Sequence, residues 1–185
     1  MCIKNYLISF GLLANLILGL AKPTTVEELD VNKYVGRWYQ VYGAPTNTIF
    51  QGWGKCITAD YGILPSGNVS VVNSQLNKQN QLEQISGYAY LENPTEPGQL
   101  TVHLDGVPVD APYWVVQLGE VVDNQYSYSI ITTPTGISNW VLARNLTEFA
   151  DKYNDQAVEY LNANNYKFVP ISQTDCDYNY KSIQI

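Results

Sequence analysis

The sequence predicts an all-β protein: an eight-stranded antiparallel up-and-down β-barrel with one C-terminal α-helix packed outside. Eight short segments of alternating apolar and polar residues follow one another, and turn residues such as Pro65-Ser66-Gly67 and Pro134-Thr135-Gly136 separate them. The chain has 15 Tyr, and aromatic side chains suit a half-buried pleated sheet. Near the C-terminus the period of the apolar residues changes from 2 to 3.6, which indicates a helix.

The first 21 residues have the pattern of a secretory signal peptide. Lys4 precedes an apolar run from Tyr6 to Leu20, and Gly19-Leu20-Ala21 places small residues at the two positions that a signal peptidase reads. A membrane anchor is the alternative, but the run is about 15 residues long, shorter than the roughly 20 that a spanning helix needs. We therefore expect a signal peptide at 1–21, one domain at 22–185, and a secreted, extracellular protein.

Composition narrows the class of partner. A chain of 185 residues with 45% hydrophobic residues has the size and core content of one globular domain. It carries 10 Lys+Arg against 17 Asp+Glu, a formal net charge of -7. This charge disfavours nucleic acid and anionic membrane surfaces as partners.

The barrel strands follow in order. Gly36 opens the first strand because a glycine backbone turns without a Cβ clash, and Trp38 supplies a large flat ring able to plug one end of a small barrel. Short connections favour a closed meander, which has no free edge and can hold one small ligand. The predicted strands are 36–44, 55–64, 68–77, 83–91, 99–105, 113–118, 125–133 and 138–144.

One helix is predicted from about 148 to 164, with Thr147 as its N-cap. Its apolar stripe is narrow, so the helix should lie outside the barrel. After it, Val169-Pro170-Ile171 should run extended toward Cys176. The residues that follow helical spacing are Phe149, Tyr153, Ala157, Tyr160, Leu161 and Asn164.

Cys56 and Cys176 are the two cysteines of the predicted mature chain, because Cys2 would leave with the signal peptide. In an oxidising compartment they would form one disulfide spanning most of the domain. Two unpaired buried thiols are the alternative. A zinc site is disfavoured, since two Cys and the single His, His103, do not supply four ligands. No metal or cofactor is expected.

Two glycosylation sequons, at Asn68-Val69-Ser70 and Asn145-Leu146-Thr147, are also consistent with secretion. They predict carbohydrate on Asn68 and Asn145.

Six stretches of the mature chain form an ordered pattern: D-V-N-K-Y-V-G-R-W-Y at 30–39, G-K-C-I-T-A-D-Y at 54–61, T-E-P-G-Q-L-T-V at 95–102, A-P-Y-W-V-V at 111–116, N-W-V-L-A-R-N at 139–145 and T-D-C at 174–176. In this order they resemble the lipocalin family, and within it the apolipoprotein D-like members. The resemblance covers the whole mature chain, which makes it more specific than any single stretch.

The resemblance implies structural roles for Gly36, Trp38 and Arg144. Arg144 would lay its guanidinium over the Trp38 ring, a cation–π pair worth roughly 0.5–2 kcal/mol, and so seal one end of the barrel. Ordinary core and rim positions are the alternative for both side chains.

The resemblance also implies a secreted binder and carrier of a small hydrophobic ligand of the sterol, retinoid or fatty acid class. Trp140 and Leu142 share a face of the eighth strand with Arg144 and are expected to bind ligand. The other expected ligand-binding residues are Tyr113 and Val115 on the sixth strand, and Tyr128 on the seventh, where it should share a face with Tyr126 and Ile130. Side chains that point outward, or that simply fill the barrel, are the alternative.

The chain departs from the apolipoprotein D-like pattern in two places. Those members have a second disulfide from the N-terminal arm to strand seven, whereas 22–30 and 125–133 contain no Cys here. The mouth loops 46–53 and 106–112 also lack a clear match, so ligand identity does not transfer.

We expect no enzyme. Some lipocalins isomerise prostaglandins with a free Cys, but Cys56 is expected to be bonded to Cys176. His103 has no setting that marks a Ser/His/Asp arrangement, and haem ligation by it is a weaker alternative. The alternative function is a secreted protein- or membrane-interaction module that uses the barrel rim, with Trp53 and Trp114 as exposed aromatics and contact with membranes or lipoprotein particles.

Overall fold

A computed structural model describes residues 22–179. The predicted signal peptide at 1–21 lies outside these residues. Within them, no helix has the length and apolar character that a membrane crossing requires. The strands are β1 (Gly36–Gly43), β2 (Lys55–Ile63), β3 (Val69–Leu76), β4 (Leu82–Leu91), β5 (Gln99–Leu104), β6 (Ala111–Leu118), β7 (Val121–Val122), β8 (Gln125–Tyr126), β9 (Tyr128–Thr132), β10 (Asn139–Ala143) and β11 (Val169–Pro170).

Eight of these strands form the closed antiparallel barrel that the sequence predicts. The order is β10-β9-β6-β5-β4-β3-β2-β1, and β1 pairs with β10 to complete the ring. The register at the closure places Tyr39 opposite Ala143 and Gly43 opposite Trp140. The short β11 adds to β1 outside the ring, and β7 and β8 form a separate small hairpin.

Within residues 22–179, three helices and the short 3-10 turn Pro45–Asn47 accompany the barrel. The one-turn α1 (Val31–Tyr34) precedes β1, and α2 (Thr48–Gln51) lies in the loop between β1 and β2. The long helix α3 runs through three segments, Leu146–Glu148, Phe149–Tyr153 and Asn154–Ala163, of which the middle one is π-helical.

The N-cap of α3 is Asn145, and the prediction of Thr147 is wrong. Asn145 has an extended backbone, and its side-chain oxygen accepts a hydrogen bond from the Glu148 N–H at 3.0 Å. Thr147 lies inside the first turn. An N-cap must have non-helical backbone angles and reach the N–H of the second or third helical residue, and Asn145 meets both conditions.

The helix packs on the outside of the barrel, as predicted. Its buried side chains follow a spacing of four residues, so they form one stripe against the outer face of β6, β9 and β10. A second apolar cluster lies on the inner side of the barrel. The outer cluster comprises Val116, Tyr128, Ile130, Val141, Ala143, Phe149, Tyr153, Ala157, Leu161 and Tyr166.

The predicted disulfide between Cys56 and Cys176 is present and joins residues 120 positions apart. Backbone bonds hold the same segment: the Cys56 N–H donates to the Ser172 carbonyl at 3.0 Å. The Gln173 side chain donates to the Gln40 carbonyl at 2.8 Å. The C-terminal tail is therefore fixed along β1 and β2.

Candidate ligand-binding cavity

The barrel encloses a cavity of about 830 Å³. At one end its lining includes residues of the loops that follow β1, β5 and β9, such as Ile49, Val107 and Ser138. Ile49 is 85% exposed, so this end is the mouth. At the other end the lining comes from α1 and the residue after it, including Val31 and Tyr34.

Trp38 and Arg144 close the end opposite the mouth. Trp38 is fully buried, and its indole N–H donates to the Tyr34 carbonyl at 2.8 Å. The guanidinium carbon of Arg144 lies 3.6 Å from the centre of the Trp38 ring, the arrangement that the family resemblance implies. Burial lowers the pKa of Arg144 to about 10, which leaves it charged at neutral pH.

Arg144 also satisfies the carbonyls at the end of α1, which have no partner within the helix. Its Nη2 donates to the carbonyls of Tyr34 and Val35, both at 2.8 Å, and to that of Lys33 at 3.2 Å. Its Nη1 donates to the Arg37 carbonyl at 2.8 Å. A planar guanidinium provides several donors at fixed angles, so one side chain can serve four acceptors.

Gly36 is required here for two reasons. Its φ of +98° lies in a region that favours glycine. A Cβ at this position would also lie 3.2 Å from Nη1 of Arg144. The glycine therefore makes room for the guanidinium, a reason more specific than the tight turn inferred from the sequence.

Four hydroxyl groups form a chain at the base of the cavity. The Tyr34 oxygen lies 2.8 Å from that of Tyr113 and 2.8 Å from that of Ser129, and the Tyr61 oxygen lies 3.2 Å from that of Tyr113. Burial raises the pKa of Tyr34 to about 12 and raises the pKa values of Tyr61 and Tyr113 as well. All three phenols are therefore neutral at physiological pH.

The cavity wall above the base is apolar, and the part of the wall nearest the mouth is polar. Gln40, Thr58, Asn73 and Ser74 lie among the polar lining residues, but Glu83 is the one charged residue among the described residues that line the cavity. Hydrogen bonds from Asn77 and Gln75 hold the pKa of Glu83 below its usual value. The apolar wall comprises Val69, Val71, Ala89, Leu100, Val102 and Leu142.

Trp140 links the cavity wall to the mouth loop. Its indole N–H donates to the Gln51 side-chain oxygen at 3.2 Å, and the Gln51 amide nitrogen donates to Gln40 at 3.0 Å. Gln75 in turn donates to the Gln51 carbonyl at 2.9 Å. These bonds hold α2 over one side of the mouth.

Three of the five residues predicted to bind ligand line the cavity: Trp140, Leu142 and Tyr113. Val115 is fully buried in the inner cluster but does not line the cavity. Tyr128 faces the opposite way, under α3, where its ring lies 5.6 Å from that of Tyr153.

The expected common face for Tyr126, Tyr128 and Ile130 is wrong because the predicted seventh strand is interrupted at Ser127. Tyr126 belongs to β8 and packs against the inner cluster, whereas Tyr128 and Ile130 belong to β9 and face the helix. Simple alternation fails across such a break.

Two other expectations concerned exposed residues. Trp53 lies near the mouth and is 71% exposed, as expected. Trp114 is only 8% exposed, so its assignment to an exposed surface is wrong; the Lys22 ammonium lies 4.4 Å from its ring centre.

His103 does not line the cavity and lies 2.8 Å from the Asp110 carboxylate. Asn68 is half-buried and Asn145 exposed, and carbohydrate on either stays a prediction.

The sequence reasoning missed Tyr34, Tyr61 and the amides of Gln40 and Gln51. A signal existed for Tyr61: the charged Asp60 lies between Ala59 and Tyr61 in the predicted strand 55–64, and alternation then places these two neighbours on the inward face, where the structure has them. Asp60 itself pairs with Arg37 at 2.8 Å. Nothing in the spacing of Gln51 indicates that its loop would fold back to Trp140.

An antiparallel barrel that is sealed at one end and encloses an apolar cavity is the architecture of a small-molecule binding protein. The Lipocalin-like domain family model matches residues 29–175. The chain belongs to the lipocalin family.

The chain is similar to apolipoprotein D of Bos taurus, with 35% identity over 130 residues. The match covers 66% of this chain and 65% of the relative, slightly less than two thirds of the relative's length. Among solved structures, lobster apocrustacyanin A1 has a TM-score of 0.60 at 20% identity, covering 88% of this chain and 97% of its own. Japanin from Rhipicephalus appendiculatus, solved bound to cholesterol, has a TM-score of 0.56 at 12% identity, covering 80% and 99%. The two structures share the fold.

Proposed function

We propose that this protein is an extracellular binder and carrier of a small hydrophobic ligand of the sterol, retinoid or fatty acid class. The observation that carries the proposal is the cavity of about 830 Å³ with an apolar wall and an open mouth. Cavities of this size enclose ligands of roughly sterol size. The disulfide supports an oxidising, extracellular location.

Binding here means burial of the ligand. Each Å² of apolar surface removed from water stabilises the complex by about 25 cal/mol before the costs of association. The cholesterol complex of japanin supports the sterol class, because that barrel shares this fold.

The side chains at the cavity are more consistent with a carrier than with an isomerase. Cys56 and Cys176 are bonded to each other, so neither supplies a thiolate nucleophile. His103 lies outside the cavity lining and cannot act on a molecule held there.

Replacing Trp140 by Ala should weaken retinol binding about tenfold or more, because the indole forms part of the wall and holds Gln51 at the mouth. The measurement is a titration read from the fluorescence of retinol, so that loss of a tryptophan does not remove the signal. Trp53→Ala is the matched control, since that side chain is 71% exposed and does not line the cavity. Equal affinities for the wild type and Trp140→Ala would contradict this placement of the site. Failure of a sterol, a retinoid and a long-chain fatty acid to bind at micromolar concentration would contradict the function.

A second candidate function is contact between the barrel mouth and a neutral lipid surface, from which the ligand would enter. Apolar side chains that surround the mouth are exposed: Ile49, Trp53, Val109 and Ile137. A lipid surface would remove this apolar area from water.

We expect flotation of the protein with phosphatidylcholine vesicles and a blue shift of its tryptophan emission. The double variant Trp53→Ser, Val109→Ser should lose both, whereas Val121→Ser, at an exposed site remote from the mouth loops, should lose neither. Absence of flotation for the wild type would exclude this second candidate and leave the carrier function intact.

A further inference from the structure

We propose that the cavity selects neutral ligands that carry a hydroxyl or keto oxygen, places that oxygen on the hydroxyl chain of Tyr61, Tyr113, Tyr34 and Ser129, and rejects the matching carboxylates. This inference rests on the proposed carrier function and narrows its ligand class. It has two independent supports, the charges around the cavity and the proton count of the hydroxyl chain.

The cavity lining provides no counter-ion for a carboxylate. Among the described residues that line the cavity there is no Lys, Arg or His, and the one charged residue, Glu83, is an acid. Burying a carboxylate without a cation or several donors is costly, whereas a hydroxyl or ketone needs only one or two hydrogen bonds. The lining therefore favours a neutral head group.

Arg144 does not change this conclusion. It lies on the far side of Trp38, is not part of the cavity lining, and donates to the carbonyls of Lys33, Tyr34, Val35 and Arg37. Burial dominates the pKa values of Tyr34 and Tyr61, and the Arg144 charge opposes that effect, so this charge does act on the hydroxyl chain. Its Nη donors are nevertheless already bonded to carbonyls, so the guanidinium cannot form a direct ion pair with a ligand in the cavity.

The hydroxyl chain has one proton more than it uses. Its four members carry four hydroxyl protons, and the three contacts Tyr61–Tyr113, Tyr113–Tyr34 and Tyr34–Ser129 each take one. One donor therefore remains for a ligand or for the surroundings of the chain.

The ends of the chain differ in their access to the cavity. Tyr61 lines the cavity, whereas Ser129 is fully buried and does not. If each hydroxyl donates toward Tyr61, the Tyr61 proton is available to a ketone. If the direction reverses, the Tyr61 oxygen accepts from an alcohol, because hydroxyl protons rotate. One site thus serves both kinds of neutral oxygen, and it offers a carboxylate a single donor and no cation in the cavity lining.

The experiment compares all-trans-retinol, retinal and retinoic acid, which share a hydrocarbon skeleton and differ in the head group. At pH 7.5 we expect retinol and retinal to bind at least about tenfold more tightly than retinoate, because one donor satisfies a neutral oxygen but does not compensate for the burial of an unpaired carboxylate charge. The difference should narrow as the pH is lowered and the acid becomes neutral, whereas retinol affinity should stay constant.

Two variants test the hydroxyl chain. Tyr61→Phe removes its cavity end and Tyr113→Phe divides it, and each should weaken retinol binding roughly threefold to tenfold. Neither should change the affinity for axerophthene, the retinol analogue without oxygen. Tyr88→Phe is the control, because Tyr88 does not line the cavity and its ring lies beside that of His103. Circular dichroism checks that each variant is folded.

Equal affinity for retinol and retinoate at pH 7.5 would overturn the inference while leaving the carrier function standing. Unchanged retinol binding by Tyr61→Phe, which alters only the end of the chain, would overturn the placement of the oxygen even if Tyr113→Phe failed to fold. Binding of none of the three retinoids, nor of cholesterol, would instead count against the carrier function itself.

Discussion

At the scale of single residues, the closed end of the barrel depends on two side chains that serve each other. Trp38 offers one ring face to the guanidinium of Arg144, and its indole N–H bonds the Tyr34 carbonyl, which Arg144 also bonds. Both side chains therefore join α1 to the barrel. A Lys at 144 would provide a compact ammonium that cannot stack flat and reach four carbonyls.

Trp38→Ala should destabilise the fold by about 3–5 kcal/mol, because it leaves a cavity in the inner core and removes the support of Arg144. Urea unfolding followed by circular dichroism measures the loss. Trp53→Ala, which removes the same side chain from an exposed site, should change the free energy of unfolding by less than about 0.5 kcal/mol. Similar midpoints for the two variants would show that Trp38 does not hold the closed end.

At the scale of elements, alternation and helical spacing predicted the barrel strands and the outer helix. Seven of the eight predicted strands match single observed strands, because each is an unbroken run with turn residues at its ends. The remaining one, the predicted seventh strand 125–133, is divided at Ser127, and that one break reversed the face assigned to Tyr128. The alternation of apolar and polar residues does not indicate where a strand bends to pair with its neighbours.

The start of α3 shows the same limit. Asn145 and Thr147 both belong to residue types that cap helices, and composition does not distinguish between them. The backbone decides, since Asn145 is the last extended residue before the first turn. Asn145 is also a sequon residue, so its side chain has both a structural bond and a predicted modification.

At the scale of the whole molecule, the regions that stabilise the fold are distinct from the cavity that would bind a ligand. The outer cluster under α3 and the seal at Trp38 are packed and buried, which leaves the inside of the barrel free to enclose a cavity. From the family resemblance we expected Trp140, Leu142 and Tyr113 to be ligand-binding residues, and all three line the cavity. The hydroxyl chain could not be predicted, since it joins Tyr34, Tyr61, Tyr113 and Ser129 from four separate elements.

The same buried phenols predict how the molecule responds to alkali. Burial raises the pKa of Tyr34 from 10.0 to about 12, and the pKa values of Tyr61 and Tyr113 are raised too. A group with a raised pKa in the folded state contributes its full stability below the unfolded pKa and loses it as pH rises through the folded pKa. Stability should therefore stay level from pH 7 to about 9.5 and fall above about pH 10, with Tyr34 alone accounting for roughly 2–3 kcal/mol. The lowered pKa of Arg144 acts in the opposite direction above pH 10, so the net fall depends on the three phenols together outweighing it.

Urea midpoints across this range, with tyrosinate absorbance at 295 nm, measure the effect. We expect the absorbance of the buried phenols to rise only as the protein unfolds, and Tyr113→Phe to make the loss of stability above pH 10 less steep. Tyr88→Phe, outside the cavity, should leave the slope unchanged. If all the tyrosines ionise near pH 10 while the far-ultraviolet circular dichroism of the barrel persists, the hydroxyl chain is open to water and is not the enclosed base of a ligand cavity.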